Sequence, residues 1–216
     1  SRVFIVPDTQ KFDQINLSIN DISTYQTDKY WIAEGSKGLR SIQRKGSNSF
    51  EALNEPIILD GPYSNSAFDI VCKNDKVYMI IGGKDLLNGK RFDKGGYILT
   101  YDYDKWSFID PKEAQKKLNL PRNPRDYTSI AVTTDDSNDE IVYASSMGDG
   151  VIQYKNGTPV QSYNEKNAFK ETAGGYGSGY CYIDGLAFDK NGNLWMTSSE
   201  VNHAVLVLDK AGAWHR

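Results

Sequence analysis

Ile183 to Trp214 reads IDGLAFDKNGNLWMTSSEVNHAVLVLDKAGAW, and this stretch decides the fold. Gly185 to Phe188 alternates small and apolar residues, the pattern of a strand covered on one face. Asp189-Lys190-Asn191-Gly192 then supplies turn chemistry, because Asn-Gly accepts the positive φ values of a tight hairpin. Asn193 to Ser198 predicts the next strand, with Leu194, Trp195 and Met196 as its bulk. After a polar stretch, Ala204 to Leu208 predicts a third strand. Asp209 to Gly212 turns again, and Ala213-Trp214 opens a further strand. The result is a meander of short antiparallel strands about 35 residues long, the size of one propeller blade.

The unit recurs upstream. Asp139 to Tyr154 (DEIVYASSMGDGVIQY), Asp28 to Ile42 (DKYWIAEGSKGLRSI) and Asp75 to Tyr101 (DKVYMIIGG, a polar excursion, then GYILTY) repeat its order. Trp31, Tyr78, Tyr143 and Trp195 mark equivalent strand positions. The step from anchor to the glycine opening the next strand is the same from Trp31 to Gly38 as from Tyr143 to Gly150. Fixed spacing inside copies with variable spacing between them is the mark of stacked or radial repeats. The four aromatics are therefore expected to pack between blades rather than form a sugar-stacking row. An ordinary β-sandwich with regular hairpins is the competing architecture.

The predicted class is all-β: four-stranded antiparallel meanders forming an incomplete propeller of about four to five blades. The segments are 1–14 (the end of a preceding blade, with a strand at Ser1 to Pro7), blades over 15–60, 61–110, 121–165 and 180–216, and a short helix over 111–120. Pro111 suits a first helical turn, and Pro121 and Pro124 stop the helix. Pro56 to Leu59 predicts a short strand. Gly82 to Gly96 (GGKDLLNGKRFDKGG) replaces a tight hairpin and should protrude at one rim. Long rim loops often carry binding, but a tolerated insertion without a role is the favoured reading of this one.

Bulk composition narrows the function classes. The chain has 216 residues, 39% hydrophobic, with 25 basic and 28 acidic residues and net charge −3. No basic stripe points to nucleic acid. No apolar run reaches the roughly 18 residues of a membrane span. Cys72 and Cys181 fall at different repeat phases, so no mutual disulfide is expected and both are predicted as buried free thiols.

Catalytic and metal chemistry is sought and not found. His203 and His215 lack converging ligands. Thr134 to Glu140 is dense in carboxylates but lacks the order of a calcium loop, so it is predicted as a solvated hairpin turn. Gly175 to Gly179 sits in a Gly-rich connector rather than at a nucleophile elbow. No cofactor is expected. Candidate binding residues are loop aromatics, Tyr63, Tyr176 and Tyr180, together with His203.

From Arg125 onward, RDYTSIAV, VYASSMGDGVIQYKNG, VQSYNEKNAF and IDGLAFDKNGNLWMTSSEVNHAVLVLDKAGAW resemble the β-propeller region of PorZ-type proteins, surface components associated with type IX secretion. DGLAFDKNGNLWM is also similar to the two-component-regulator propeller repeat of periplasmic hybrid sensors. KYWIAEGSKGL extends the likeness more weakly, and Gly82 to Gly96 falls outside it. The resemblance implies an extracytoplasmic, non-enzymatic propeller, at the cell surface or in the periplasm. It further implies lipopolysaccharide or another glycan as ligand, other secretion-system proteins as partners, and the remaining blades of the same protein as neighbours. A glycan-sensing propeller of a hybrid two-component system is the alternative. A propeller lyase or hydrolase is the second alternative.

Overall fold

The structure is a computed structural model that describes residues 21–33, 39–47, 49–55, 57, 61–64, 66–169, 180–199 and 201–216. The strand expected at Ser1 to Pro7 lies outside these residues. Of Pro56 to Leu59, only Ile57 is described, bridged to Leu39. Two compact units divide the chain, Ser1–Asp60 and Gly61–Arg216.

The first unit holds one antiparallel meander: β1 (Asp21–Gln26), β2 (Lys29–Ala33), β3 (Leu39–Arg44) and β4 (Phe50–Ala52), paired in chain order. Trp31 lies opposite Ser41 and is half-buried, while the neighbouring Ile32 is fully buried.

The second unit holds three more meanders. β5 (Ala67–Lys73), β6 (Lys76–Ile81), β7 (Ile98–Tyr101) and β8 (Trp106–Ile109) form one sheet. α1 (Pro111–Leu118) follows. β9 (Tyr127–Thr134), β10 (Glu140–Gly148), β11 (Gly150–Lys155) and β12 (Thr158–Tyr163) form the middle sheet, and β13 (Cys181–Phe188), β14 (Leu194–Ser198), β15 (Val205–Leu208) and β16 (Trp214–His215) the last. The last two sheets join where Met147 and Gly148 of β10 pair with Tyr182 and Cys181 of β13. These are β-propeller blades, each an up-and-down meander.

Alternation of side chains governs the packing. In the middle sheet, Ala131, Ile141, Tyr143 and Val151 face the last sheet, where Ile183, Leu194, Met196, Leu206 and Leu208 meet them. Their sequence neighbours Ile130, Val132, Val142, Ala144 and Ile152 face the other way, onto Tyr78, Ile80 and Ile98. Both faces are therefore core, and β9 and β10 are buried almost throughout. Each large side chain so covered contributes about 1.5–3 kcal/mol relative to exposure.

The aromatic anchors sort by the same rule. Tyr78 and Tyr143 both lie on the face turned to the following sheet, and both are buried. The Tyr78 hydroxyl donates to Glu140 across the blade boundary at 2.5 Å. Burial and then the Glu140 carboxylate push its pKa well up. Trp195 lies between Leu194 and Met196, which face the middle sheet, so its ring is on the opposite face and 45% exposed. Core packing between blades was expected of it. The face it occupies has no following sheet among the described residues. Cys181 is buried and Cys72 is exposed, both as free thiols. Cys72 departs from the buried state expected because it shares a face of β5 with Ile70, which is 58% exposed, while Val71 between them takes the core-facing side.

At the inner edge, β9 lies against both β5 and β13. Strands that converge there have little room, and small polar groups link them. Asp69 accepts from Ser129 Oγ at 3.0 Å and from the Ile130 N–H at 3.1 Å. Ser129 Oγ accepts from the Leu186 N–H at 3.2 Å. Thr128 Oγ1 donates to the Ile183 carbonyl at 2.5 Å. Buried polar groups of this kind are tolerated because they are paired.

α1 begins at Asp110, whose carboxylate accepts the Lys112 N–H at 2.9 Å, and ends at left-handed Asn119. Ala114 is its buried contact, and it packs on β12.

Hairpins at one end of the sheets are closed by aspartates. Asp135 accepts the N–H groups of Ser137 and Asp139, Asp189 those of Asn191 and Asn193, and Asp102 those of Asp104 and Lys105. The 134–140 turn also holds the Lys155 ammonium between Asp135 and Asp139, at 2.8 Å from each.

Two measurements check this account. Tyr143→Ala should lower stability to urea by about 3–5 kcal/mol, because a filled blade boundary is emptied. Trp195→Ala should cost about 1 kcal/mol or less, because half of the ring is already in water; equal losses would refute the phase assignment. The second concerns acid. The Trp195 indole N–H first, then the Asn193 amides, hold the Asp189 carboxyl down to about 2. A depressed folded pKa adds stability that is present above the unfolded value of about 4 and is lost as pH falls from about 4 to about 2. Asp189→Asn should flatten the stability-against-pH curve in that window and lower stability near neutrality, where the carboxylate's contribution is fully present.

Candidate functional site

β5, β9 and β13 start at the end of the sheets opposite the aspartate hairpins. Among the described residues, the β6–β7, β8–β9 and β10–β11 connections lie at that end and meet around the start of β9. The 82–97 connection is pinned there. Gly82, at φ 133°, runs so close to β9 that an added Cβ would sit 2.4 Å from the Tyr127 nitrogen. Lys94 O accepts the Asp126 N–H at 2.9 Å, and Gly95 bridges Arg125.

The pin is reinforced by a buried carboxylate. Asp126 precedes β9 in the left-handed region, at φ 48°. Its side chain is fully buried and accepts the N–H groups of Asp93 at 3.1 Å and Lys94 at 3.0 Å. Arg91 Nε lies 3.8 Å away. Burial raises the Asp126 pKa, while the Lys94 N–H and the Arg91 charge oppose that rise.

Over this anchor the side chains form a cationic platform. Two guanidinium groups approach the Tyr180 ring, with Arg91 Cζ at 5.8 Å and Arg122 Cζ at 5.3 Å from its centroid. Such cation–π contacts hold aromatic and cation in fixed relation. Arg91 Nη2 donates to Asp93 at 2.7 Å. Arg122 donates to Asp149 Oδ1 through Nε at 2.8 Å and reaches it through Nη2 at 2.7 Å. The other Asp149 oxygen takes the Arg125 N–H at 3.1 Å. Ser146 Oγ donates to the Arg125 carbonyl at 2.6 Å, closing the 122–126 and 146–149 loops together. Burial alone would lower the arginine pKa values. For Arg91 the Asp93 carboxylate, and for Arg122 the Asp149 carboxylate, outweigh it, so both guanidiniums are held charged.

Gly148 makes the platform possible. At φ 133°, a Cβ there would lie 3.1 Å from the Tyr180 ring and 3.2 Å from Arg91 Nη1. A side chain would push apart the two groups that the platform brings together.

Beside the platform, Lys84 Nζ reaches Asp184 of β13 at 2.5 Å, and Asp184 also accepts from Ser199 Oγ. Arg91, Arg122 and Arg125 thus face three carboxylates, Asp93, Asp126 and Asp149, one of them buried. A guanidinium has five donors, so each arginine keeps N–H groups for a ligand. The arrangement suits an anion with a planar or sugar-like face.

Of the four binding candidates taken from the sequence, Tyr180 is in this platform. Tyr176 lies outside the described residues. Tyr63 is elsewhere, its ring 4.7 Å from both Tyr97 and Phe108. Its hydroxyl raises the Tyr97 pKa to about 12. His203 is exposed in the β14–β15 connection. The arginines carry no local signature. The glycine-flanked Asp149 and the 82–96 insertion are the sequence features that point to the site. Among the described residues no three His, Cys, Asp or Glu side chains converge as metal ligands, and no helix is long and apolar enough to cross a membrane.

The sequence matches no protein-family model and no curated protein. Among solved structures, the fold is similar to PorZ, a bacterial surface component of the type IX secretion system of Porphyromonas gingivalis. Identity is 22% and the TM-score 0.61, over 92% of this chain and 25% of PorZ. The extracellular domain of the hybrid two-component system protein BT4673 from B. thetaiotaomicron aligns at 12% identity and a TM-score of 0.42, over 96% of this chain and 23% of that one. An α-L-arabinofuranosidase from Clostridium thermocellum aligns at 15% and 0.31, over 90% and 69%. The last two scores are too low to bear on function. This chain spans about a quarter of the first two structures' length, and the likeness to PorZ is one of fold.

Proposed function

We propose that the chain is a non-catalytic binding module of an exported protein, and that it holds an anionic glycan, lipopolysaccharide included, on the platform of Arg91, Tyr180 and Arg122. The observation that carries this reading is the pair of charged guanidiniums gathered at one ring, 5.8 and 5.3 Å from its centroid. The ring offers a stacking face for a sugar, and the free guanidinium donors suit a carboxylate or phosphate on it. Arg125 extends the positive edge. Asp69, Asp126 and Asp184 are each engaged by donors of the fold itself, which favours holding over bond-breaking. The extracytoplasmic placement, at the surface or in the periplasm, draws on the fold likeness to PorZ, as does a place among secretion-system proteins. The half-exposed Trp195 face is where a further blade of the same protein would pack.

Titration calorimetry with lipid-free anionic oligosaccharides, deacylated lipopolysaccharide among them, against neutral counterparts tests this. The chain should bind the anionic set, and Arg122→Ala and Tyr180→Ala should each weaken Kd by about tenfold, the size of one charge-assisted contact. Affinity that is indifferent to ligand charge, or unchanged in both variants, would refute the platform as the binding site.

A further inference from the structure

The 82–97 connection has a second feature that the platform does not use. Its tip, Asp85 to Lys90, is closed on itself. The Asp85 N–H donates to the Lys90 carbonyl at 2.8 Å, and the Gly89 N–H to the Asp85 carbonyl at 2.7 Å. The Asp85 carboxylate accepts the Leu87 N–H at 2.8 Å and the Asn88 amide at 3.0 Å. The Asn88 side-chain oxygen accepts the Lys90 N–H at 2.8 Å. Lys84 and Arg91 bridge below the tip, and Asp126 pins its base.

This self-contained turn holds two leucines outward. Leu86 is 81% and Leu87 98% exposed, more than any other large apolar side chain among the described residues. Phe92 follows at 46%, with the Lys94 ammonium 5.4 Å from its ring centroid. Lys90, Phe92 and Lys94 are all exposed, so apolar groups and cations alternate along one short segment. Single exposed leucines are ordinary on protein surfaces. Two adjacent ones at the apex of a rigid, cation-flanked turn form a wedge.

We infer that this tip docks on an anionic phospholipid surface, with Leu86 and Leu87 entering the boundary between headgroups and acyl chains while Lys90 and Lys94 lie among the phosphates. Geometry favours a bilayer over a protein partner. A stable protein interface buries about 1,000 Å² or more across two matched surfaces. A narrow apex with two leucines offers far less, whereas lipid closes around a wedge of any shape. Charge is complementary, since anionic headgroups attract each nearby lysine. The inference uses residues outside the Arg91–Tyr180–Arg122 platform and stands apart from its ligand.

Co-sedimentation of the 216-residue chain with vesicles tests it. The chain should bind mixed phosphatidylglycerol and phosphatidylcholine vesicles, and bind phosphatidylcholine alone weakly. Leu86→Ser with Leu87→Ser should lower the partition coefficient about tenfold or more, while the urea midpoint and the affinity for soluble anionic oligosaccharides stay unchanged. Lys90→Glu and added salt should both weaken binding. As a second readout, Leu87→Trp should acquire emission quenched by brominated lipid. Three results would overturn the inference: no vesicle binding by the parent chain, equal binding by the double serine variant, or a leucine-dependent self-association in place of lipid binding, which would assign the tip to protein contact.

Discussion

The structure of the second unit depends on the middle sheet being covered on both faces. A sheet buried on one side can alternate apolar and polar residues. One buried on both must supply two interdigitating sets and leave no backbone group unpaired. Ile130, Val132, Val142 and Ala144 supply one set, and Ala131, Ile141 and Tyr143 the other. Each set is complete only when the neighbouring sheet presents its own alternate residues. The blades are therefore defined by one another, and none of the three forms a closed core alone. Trp195 shows the converse: the same kind of anchor stays half in water where the next sheet is not among the described residues.

Convergence of the first strands sets what the inner edge can be made of. Bulk is excluded there, so Asp69, Thr128 and Ser129 link strand to strand through hydrogen bonds instead of packing. The same convergence brings the connections at one end together over β9. The opposite end is spanned by hairpins whose aspartates satisfy their own backbone N–H groups, which leaves little for a ligand. The long-connection end differs because its loops come from separate sheets. They satisfy one another through Asp126, Asp149 and Ser146, and in doing so they hold Arg91, Arg122 and Tyr180 in a fixed order. The leucine-tipped turn rises from the same pinned base.

Much of this architecture is legible in the chain. DKNG and KNG mark tight hairpins because Gly192 in the first, and Asn156 and Gly157 in the second, take the left-handed backbone that those turns require. The uninterrupted apolar character of SIAV and IVYAS marks strands with no solvent face. Pro111 and the prolines at 121 and 124 bracket the helix, because ring-closed residues suit a first turn and end a ladder. Tyr180 stands out as an aromatic off the repeat phase. Arg91, Arg122 and Arg125 do not stand out, since a lone arginine in a polar loop looks the same whether it points to bulk water or to a ring.

What the sequence determined by itself is local: where strands form, where they turn, which residues repeat, and that the chain builds wedges rather than helices or a disordered coil. Those follow from side-chain periodicity and backbone preference within a few residues. Tertiary structure alone decided which anchors are covered, that Cys72 is open and Cys181 closed, and that groups 58 and 89 residues away in the chain, Arg122 and Arg91, meet at Tyr180. Cation–π contact and ion pairing are short-ranged and carry no periodicity. Only the stacking of one sheet on the next brings such groups within reach.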